Sequence, residues 1–255
     1  MELHYSLSGD GNPLLILHGL LGMSDNWAGF AKAFSKQYKV LVPDLRNHGR
    51  SGHSTVFSYL AMCDDIDELL FNEQIQHTFL LGHSMGGKVA MQYALDNPQK
   101  IDKLIVVDIS PVQYPYQSHP LVELMMNTNL SGFSERKEIE NHLLNEINDT
   151  RIVGFLMKNL SRSQGNNFIW KPGLPAINEN IREVFREIKS ETVFDKPVLF
   201  IKGGNSDYIL PQHEPHIYKL FPNAVIKTID KASHWVHADQ PEEFAKLVLE
   251  FLSLK

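Results

Sequence analysis

"FLLGHSMGGKVAM", residues 79–91, carries two overlapping motifs. Read from Gly82, it spells G-x-x-x-x-G-K, one residue short of the loop that cradles nucleotide phosphates. Read from the same glycine, it spells G-x-S-x-G, the turn that presents a nucleophilic serine, here Ser84. The first reading needs Ser or Thr after the lysine, because that hydroxyl ligates Mg²⁺. The residue there is Val89, which has no oxygen. The second reading needs a strand before the turn and a helix after it. "HTFLL" (77–81) is strand-like, and "GKVAMQYALDNP" (87–98) is helix-like up to Pro98, where a helix breaks. That context carries the argument, because the three fixed letters recur by chance in roughly one such chain in a dozen. The sterics of the turn agree. Its serine takes a strained backbone angle costing of order 1–3 kcal/mol. Side chains two positions to either side would collide across the bend. Gly82 and Gly86 remove them, and Gly87 adds room.

Outward from this turn, further short apolar runs recur at 14–17, 40–42, 104–107, 198–201 and 225–229. Most are continuous rather than alternating, as in strands buried on both faces. Helix-period segments separate several of them. In the last, Phe244, Leu247, Val248, Phe251 and Leu252 fall on one helical stripe. Asp239-x-x-Glu242 around Pro241 predicts the cap at its start. Strand alternating with helix predicts an α/β fold with a mostly parallel sheet covered on both faces. Residues 111–190 break the rhythm. No convincing buried strand is read there, and helix-like pieces are interrupted by "SGFS", "SQGNN" and "KPGLP". Nine basic and nine acidic residues leave positions 111–189 neutral. "KPVLFIKGG" (196–204) resumes the strand pattern. The expectation is one α/β core, residues 1–110 and 191–255, with a helical insertion over 111–190 after the "LIVVD" strand.

A chain of 255 residues can bury a large core without disulfide staples. Its net charge of -6 and lack of a basic run argue against a nucleic-acid partner. The single cysteine, Cys63, fits a reducing compartment. "MELHYSLSGDGNP" has neither a basic n-region nor a long apolar h-region, so no signal peptide is expected. No apolar run is long enough to span a bilayer. A soluble cytoplasmic protein with no membrane partner is expected. Composition leaves the oligomeric state open.

A serine hydroxyl is a poor nucleophile until a base takes its proton. The chain has twelve histidines, so position must choose among them. His83 adjoins the serine, but its side chain leaves the backbone in another direction. His48, in "RNHGRS", ends an earlier strand and is a candidate pocket residue. His213 and His216 flank Pro215 without further ligands nearby, so no metal site is expected. His234, in "KASHWVHADQPEEF" (231–244), follows the last strand and precedes the closing helix. Such a loop lies at the C-terminal edge of the sheet, as Ser84 does, where ligands bind in open α/β sheets. His234 is the predicted base and His237 the reserve. The developing oxyanion needs fixed donors. The N–H of Met85, just after the nucleophile, is one. Leu20, in the glycine-rich "HGLLG" (18–22), supplies the other. Neighbouring His18, Gly19, His83 and Trp235 are the candidate substrate contacts.

Taken together, "HGLLG", "PDLRNHGRS", "GHSMGGK", "VVDISPV", "GGNSDY" and "SHWVH" resemble the α/β-hydrolase superfamily, and within it the small YbfF-type serine esterases. The resemblance runs nearly end to end and is loosest over 115–190. It implies a mostly parallel central sheet flanked by helices, a Ser-acid-His triad and a helical cap inserted after the sixth strand. The 111–190 segment matches that cap. Ser233 stands where many relatives carry glycine. Two places compete for the acid. In much of the superfamily it follows the strand after the cap; a gap-free reading puts that place at Ser206, with Asp207 one residue late. In the esterases this chain most resembles, the acid ends the strand before the cap, which implies Asp108. Asp44 is expected to brace its own loop.

The resemblance thus implies a hydrolase of carboxylic esters or thioesters, with Ser84, Asp108 and His234 catalytic and no metal or organic cofactor. Its substrates would be small molecules with short to medium acyl chains, acyl-CoA among them. Relatives that open epoxides or haloalkanes use aspartate where this chain has Ser84. Met125, Met126, Phe133, Phe155, Leu156, Met157, Phe168 and Trp170 are candidates to line an acyl pocket, against the alternative that they pack together. Arg182 and Arg186 could form a local anion site. Two other classes stay open. One is a nucleotide-binding protein using residues 82–89, with Asp108 orienting a metal. The other is a non-catalytic hydrolase-fold binding module, although such folds usually lack a triad member.

Overall fold

The computed structural model describes residues 1–116 and 119–254. The first half runs β1 (Tyr5–Ser8), β2 (Asn12–Leu17), α1 (Ala28–Phe34), β3 (Tyr38–Pro43), α2 (Tyr59–Asn72), β4 (Thr78–His83), α3 (Met85–Asp96) and β5 (Ile101–Val107). Then come α4 (Pro120–Asn127), α5 (Arg136–Ile147), α6 (Thr150–Met157), β6 (Leu160–Arg162), β7 (Phe168–Trp170), α7 (Leu174–Glu179) and α8 (Arg182–Phe185). The chain closes with β8 (Val198–Gly203), α9 (Glu214–Leu220), β9 (Ala224–Ile229), α10 (Val236–Asp239) and α11 (Pro241–Ser253).

Seven strands form one sheet in the order β1-β3-β2-β4-β5-β8-β9. Only β1 runs antiparallel to its neighbour. The continuous apolar runs now have a physical reason. Successive strand residues point to opposite faces. Leu15 and Leu17 join the cluster holding α2 and α3, while Leu14 and Ile16 join the one holding α1 and α11. A strand covered on both sides must be apolar at every position. The parallel register brings the ends of β2, β4, β5, β8 and β9 to one edge, and the loops that follow them gather there.

Several expectations are revised. β1 was not legible, because "YSLS" at an edge has no apolar run. The insertion follows the fifth strand in chain order, not the sixth. The four residues before Tyr5 form no strand, and the Met1 ammonium is held by Asp65 (2.6 Å) and Glu68 (2.9 Å) instead. β9 is the other edge strand, so its apolar run is only half covered and Val225 is exposed. Asp239 does not cap α11, whose N-cap is Gln240. Its carboxylate accepts from the Ser233 N–H (2.7 Å) and from Arg151 (2.9 Å), bracing the segment just before His234. The insertion also contains a hairpin, β6 with β7. Three residues per strand are too few to show a period. Val122, Met125, Ile139, Leu143, Val153 and Leu156 belong to the same buried cluster as Leu15 and Val89, so insertion and core share one apolar interior. Among the described residues, no helix is long and apolar enough to cross a membrane.

Candidate active site

The first element of the site is the bend between β4 and α3. Ser84 sits there with φ 53° and ψ -118°, a conformation that L side chains rarely adopt. The glycines are sterically required. A Cβ on Gly82 would stand 2.2 Å from the Gly86 carbonyl oxygen. One on Gly86 would stand 2.5 Å from the oxygens of Leu17 and His18, so this glycine admits the end of β2 rather than only relieving the bend. Gly87 clears Ile109, at 2.5 Å. The N–H of Ser84 is fixed in the ladder on Val107 O at 3.0 Å.

Three loops meet at this bend. His234 Nε2 lies 2.9 Å from Ser84 Oγ, and His234 Nδ1 lies 2.8 Å from Asp108 Oδ2. A carboxylate only accepts, so Nδ1 carries the proton and Nε2 is free to accept from the serine hydroxyl. Asp108 is fully buried and also has positive φ, 48°. Its other partners are the Gly203 N–H (2.9 Å) and the Ser206 hydroxyl. Asp207 is exposed and makes no side-chain hydrogen bond among the described residues. Of the two competing carboxylates, Asp108 is the one bonded to His234, and Ser206 is its partner. The aromatic ring of Tyr208 stacks on the His234 imidazole at 4.0 Å and 23°. Sequence reading missed both contacts; only the "GGNSDY" match pointed there.

The "HGLLG" loop, expected to supply an oxyanion donor, runs from His18 to Gly22. The N–H groups of Leu20 and Met85 donate to no described residue, while Gly22 N–H closes a turn on Gly19 O at 2.9 Å. A Cβ on Gly19 would press on the His83 ring at 3.0 Å and Ser84 Cβ at 3.3 Å, so its bareness lets this loop approach Ser84.

His18 and His83, both expected to contact substrate, are buried and bonded to backbone. His18 is buried, its Nδ1 on Gly19 O (2.8 Å) and its Nε2 accepting from Leu45 N–H (2.9 Å). His83 is buried, and its Nε2 donates to the backbone oxygen of His234 (2.9 Å). Burial holds both imidazoles below their ordinary pKa. Each bonds to the backbone of a neighbouring loop. His237 is buried, stacks on Trp27 at 4.4 Å and is pushed down to about 3 by burial, so it lies in the core rather than on the serine. His48 is buried as well, with Nδ1 on Arg46 O (2.9 Å). Asp44 braces its loop as expected, accepting from Ser24 N–H (2.6 Å) and Arg50 N–H (2.8 Å).

Trp235 is half-buried, 6.0 Å from the Phe155 ring and 6.5 Å from that of His234. Of the eight candidate pocket residues, Phe155 reaches this wall. Met125, Leu156, Met157 and Phe168 are buried in the common core, Met126 is exposed, and Trp170 donates to Met125 O (2.9 Å). Lys88 decides against the phosphate loop. Its ammonium is buried and donates to Val112 O (2.7 Å) and Arg186 O (2.6 Å), away from Gly82. Burial draws its pKa down to about 7.

Comparison with known proteins agrees with this fold. The family model "alpha/beta hydrolase fold" matches residues 12–193. The sn-1-specific diacylglycerol lipase ABHD11 of Danio rerio is 36% identical over 96% of this chain and 79% of its own. Esterase YbfF of Escherichia coli is 30% identical over 96% of this chain and 94% of its own. A solved structure described as a marine microorganism esterase superposes with a TM-score of 0.95, at 37% identity over 98% of this chain and 99% of the other. The chain belongs to the α/β-hydrolase family.

Proposed function

We propose that this protein is a serine hydrolase of carboxylic esters, thioesters included, working through Ser84, His234 and Asp108. The observation that carries this reading is the unbroken hydrogen-bonded path from Ser84 Oγ through His234 to Asp108. Ser84 Oγ attacks the carbonyl carbon as its proton passes to His234 Nε2. Asp108 fixes the imidazole tautomer and stabilises the imidazolium. The carbonyl oxygen becomes an oxyanion held by the Leu20 and Met85 N–H groups. Collapse expels the alcohol or thiol, which takes the proton from Nε2. Water then repeats the sequence on the acyl-enzyme and releases the acid. None of these steps calls on a metal or organic cofactor.

Relatives named esterase and diacylglycerol lipase support ester bonds as the target. Residues 111–190 act in this reading as a cap over the site. Phe155 and Trp235 supply an apolar wall beside the base, suited to short and medium acyl chains, acyl-CoA among the candidates. A small-molecule substrate and a cytoplasmic location complete the reading.

A fluorophosphonate probe tests it. The wild type labels at Ser84 and Ser84→Ala does not. Turnover of p-nitrophenyl esters falls about 10⁶-fold in that variant. A parallel panel of acyl-CoA thioesters and p-nitrophenyl esters across chain lengths then sets the substrate class. Folded wild type that neither labels nor hydrolyses any member sinks the proposal and favours a binding module.

A further inference from the structure

The inserted segment reaches the oxyanion loop through one buried side chain. Asn159, just past α6, is fully buried, and its Nδ2 donates to Leu21 O at 2.9 Å. A carbonyl oxygen only accepts, so the amide nitrogen must face it. Asn159 Oδ1 is left buried without a partner among the described residues. A half-satisfied buried amide is unfavourable for the fold, which directs attention to the bond it does make.

Leu21 has φ 59°, in the region that favours glycine. It is the third residue of the turn closed by Gly22 N–H on Gly19 O, where a type II turn requires positive φ. Peptide units are planar and trans, so each carbonyl is locked antiparallel to the next residue's N–H. Leu21 C=O, which accepts from Asn159, therefore shares a plane with Gly22 N–H. That N–H donates to Gly19 O, which His18 Nδ1 also reaches at 2.8 Å. Gly19 C=O in turn shares a plane with Leu20 N–H.

We propose that Asn159 is a positioning residue of the oxyanion site, anchoring a relay of two peptide planes that aims and polarises the Leu20 N–H. Hydrogen bonds in series strengthen one another, and here the series ends on the group that meets the oxyanion. The inserted segment thereby acts on catalysis without touching substrate. The inference rests on the proposed role of Leu20.

The test uses the full-length enzyme, p-nitrophenyl ester kinetics and a trifluoromethyl ketone, which Ser84 converts to a tetrahedral oxyanion. Ester turnover that survives in Ser84→Ala overturns the functional reading itself, whatever Asn159 does. Given dependence on Ser84, Asn159→Leu keeps the shape and removes the donor. It lowers kcat about 10-fold and weakens the ketone by a similar factor, with KM changed less than about twofold. Loss of a complete oxyanion donor costs about 10²–10³ in kcat, so a weakened one costs less. A folded Asn159→Leu with unaltered kcat and ketone affinity overturns the proposal. So does a rise in KM alone, which marks a substrate contact. Should the variant not fold, a crystal structure of the wild-type ketone adduct decides. Asn159 Nδ2 within about 3.2 Å of Leu21 O, with the oxyanion on Leu20 N–H, supports the relay, and a gap beyond about 3.5 Å overturns it.

Discussion

Glycine has a different task at the bend beside Ser84 than at two positions of the inserted segment. At the edge, a Cβ on Gly82 or Gly86 would stand 2.2 or 2.5 Å from backbone oxygens. In the insertion, a Cβ on Gly132 or Gly154 meets nothing within 4 Å. Ser84 and Asp108 at the edge both carry positive φ, and the loops around them are pinned by hydrogen bonds between side chains and backbone. The edge is thus specified by backbones in contact, and the insertion by side chains packing into a shared interior. Geometry held to tenths of an ångström is what a proton path needs. Apolar packing tolerates exchange of one side chain for another of similar volume.

The largest expected effect probes the edge. Asp108→Asn keeps the shape of the acid but cannot hold His234 in the productive tautomer, and turnover should fall about 10⁴-fold. Asp207→Asn, on an exposed side chain one residue past Ser206, should change turnover less than about twofold. Steady-state kinetics on a p-nitrophenyl ester measure both. The reverse ranking would remove Asp108 from the proposed path.

That difference between regions also explains what the sequence disclosed. Strands buried on both faces announce themselves, as 79–81 and 104–107 do, because every residue must be apolar. The bend at Ser84 announces itself through glycines that no other residue can replace. Asp108 was open to a rival because its role depends on reach from the end of β5 to the His234 loop, and linear spacing does not encode that distance. The backbone bonds of His18 and His83 are hidden from the sequence for a related reason. A polar residue beside a nucleophile looks functional, but only three dimensions show that both imidazoles bond to backbone. In the insertion, β6 and β7 were too short to show a period, and the apolar positions could not be divided between pocket and core. Most were core.

Gly82→Ala tests whether backbone contact governs the edge. A methyl group 2.2 Å from the Gly86 oxygen has no flexible neighbour to displace. The variant should lose at least about 3 kcal/mol of stability or fail to accumulate, since overpacking typically costs 1–3 kcal/mol where side chains can yield. Thermal unfolding measures this. A variant with unaltered Tm would show that the bend relaxes freely and that the strain at Ser84 is not imposed by its surroundings.

Two buried histidines should also make the fold acid-sensitive. Burial pushes the imidazoles of His48 and His237 down to about 3 from an ordinary 6.5. Between those values the unfolded chain binds a proton that the fold refuses, so stability falls as pH drops through that window. Each such histidine contributes about 1.4 kcal/mol per pH unit once well below 6.5. Denaturant unfolding from pH 7 to pH 5 should show the decline. His48→Leu should flatten it, whatever the change in absolute stability. An equal slope in that variant would mean that His48 takes up its proton within the fold.

The smallest effect is expected in the insertion. Gly154 lies inside α6, exposed and without a neighbour for a new methyl group. A glycine in a helix interior costs roughly 0.5–1 kcal/mol against alanine, because the unfolded chain has more freedom to lose. Gly154→Ala should therefore stabilise the protein by about that amount, raising Tm by about 1–4 °C for a chain of this size. kcat and KM should stay unchanged, since Gly154 takes no part in the hydrogen bonds that link Asn159 to Leu21. A loss of turnover in this variant would mean that the insertion needs a flexible α6 for catalysis, and the contrast between a rigid edge and a passively packed insertion would give way to one moving unit.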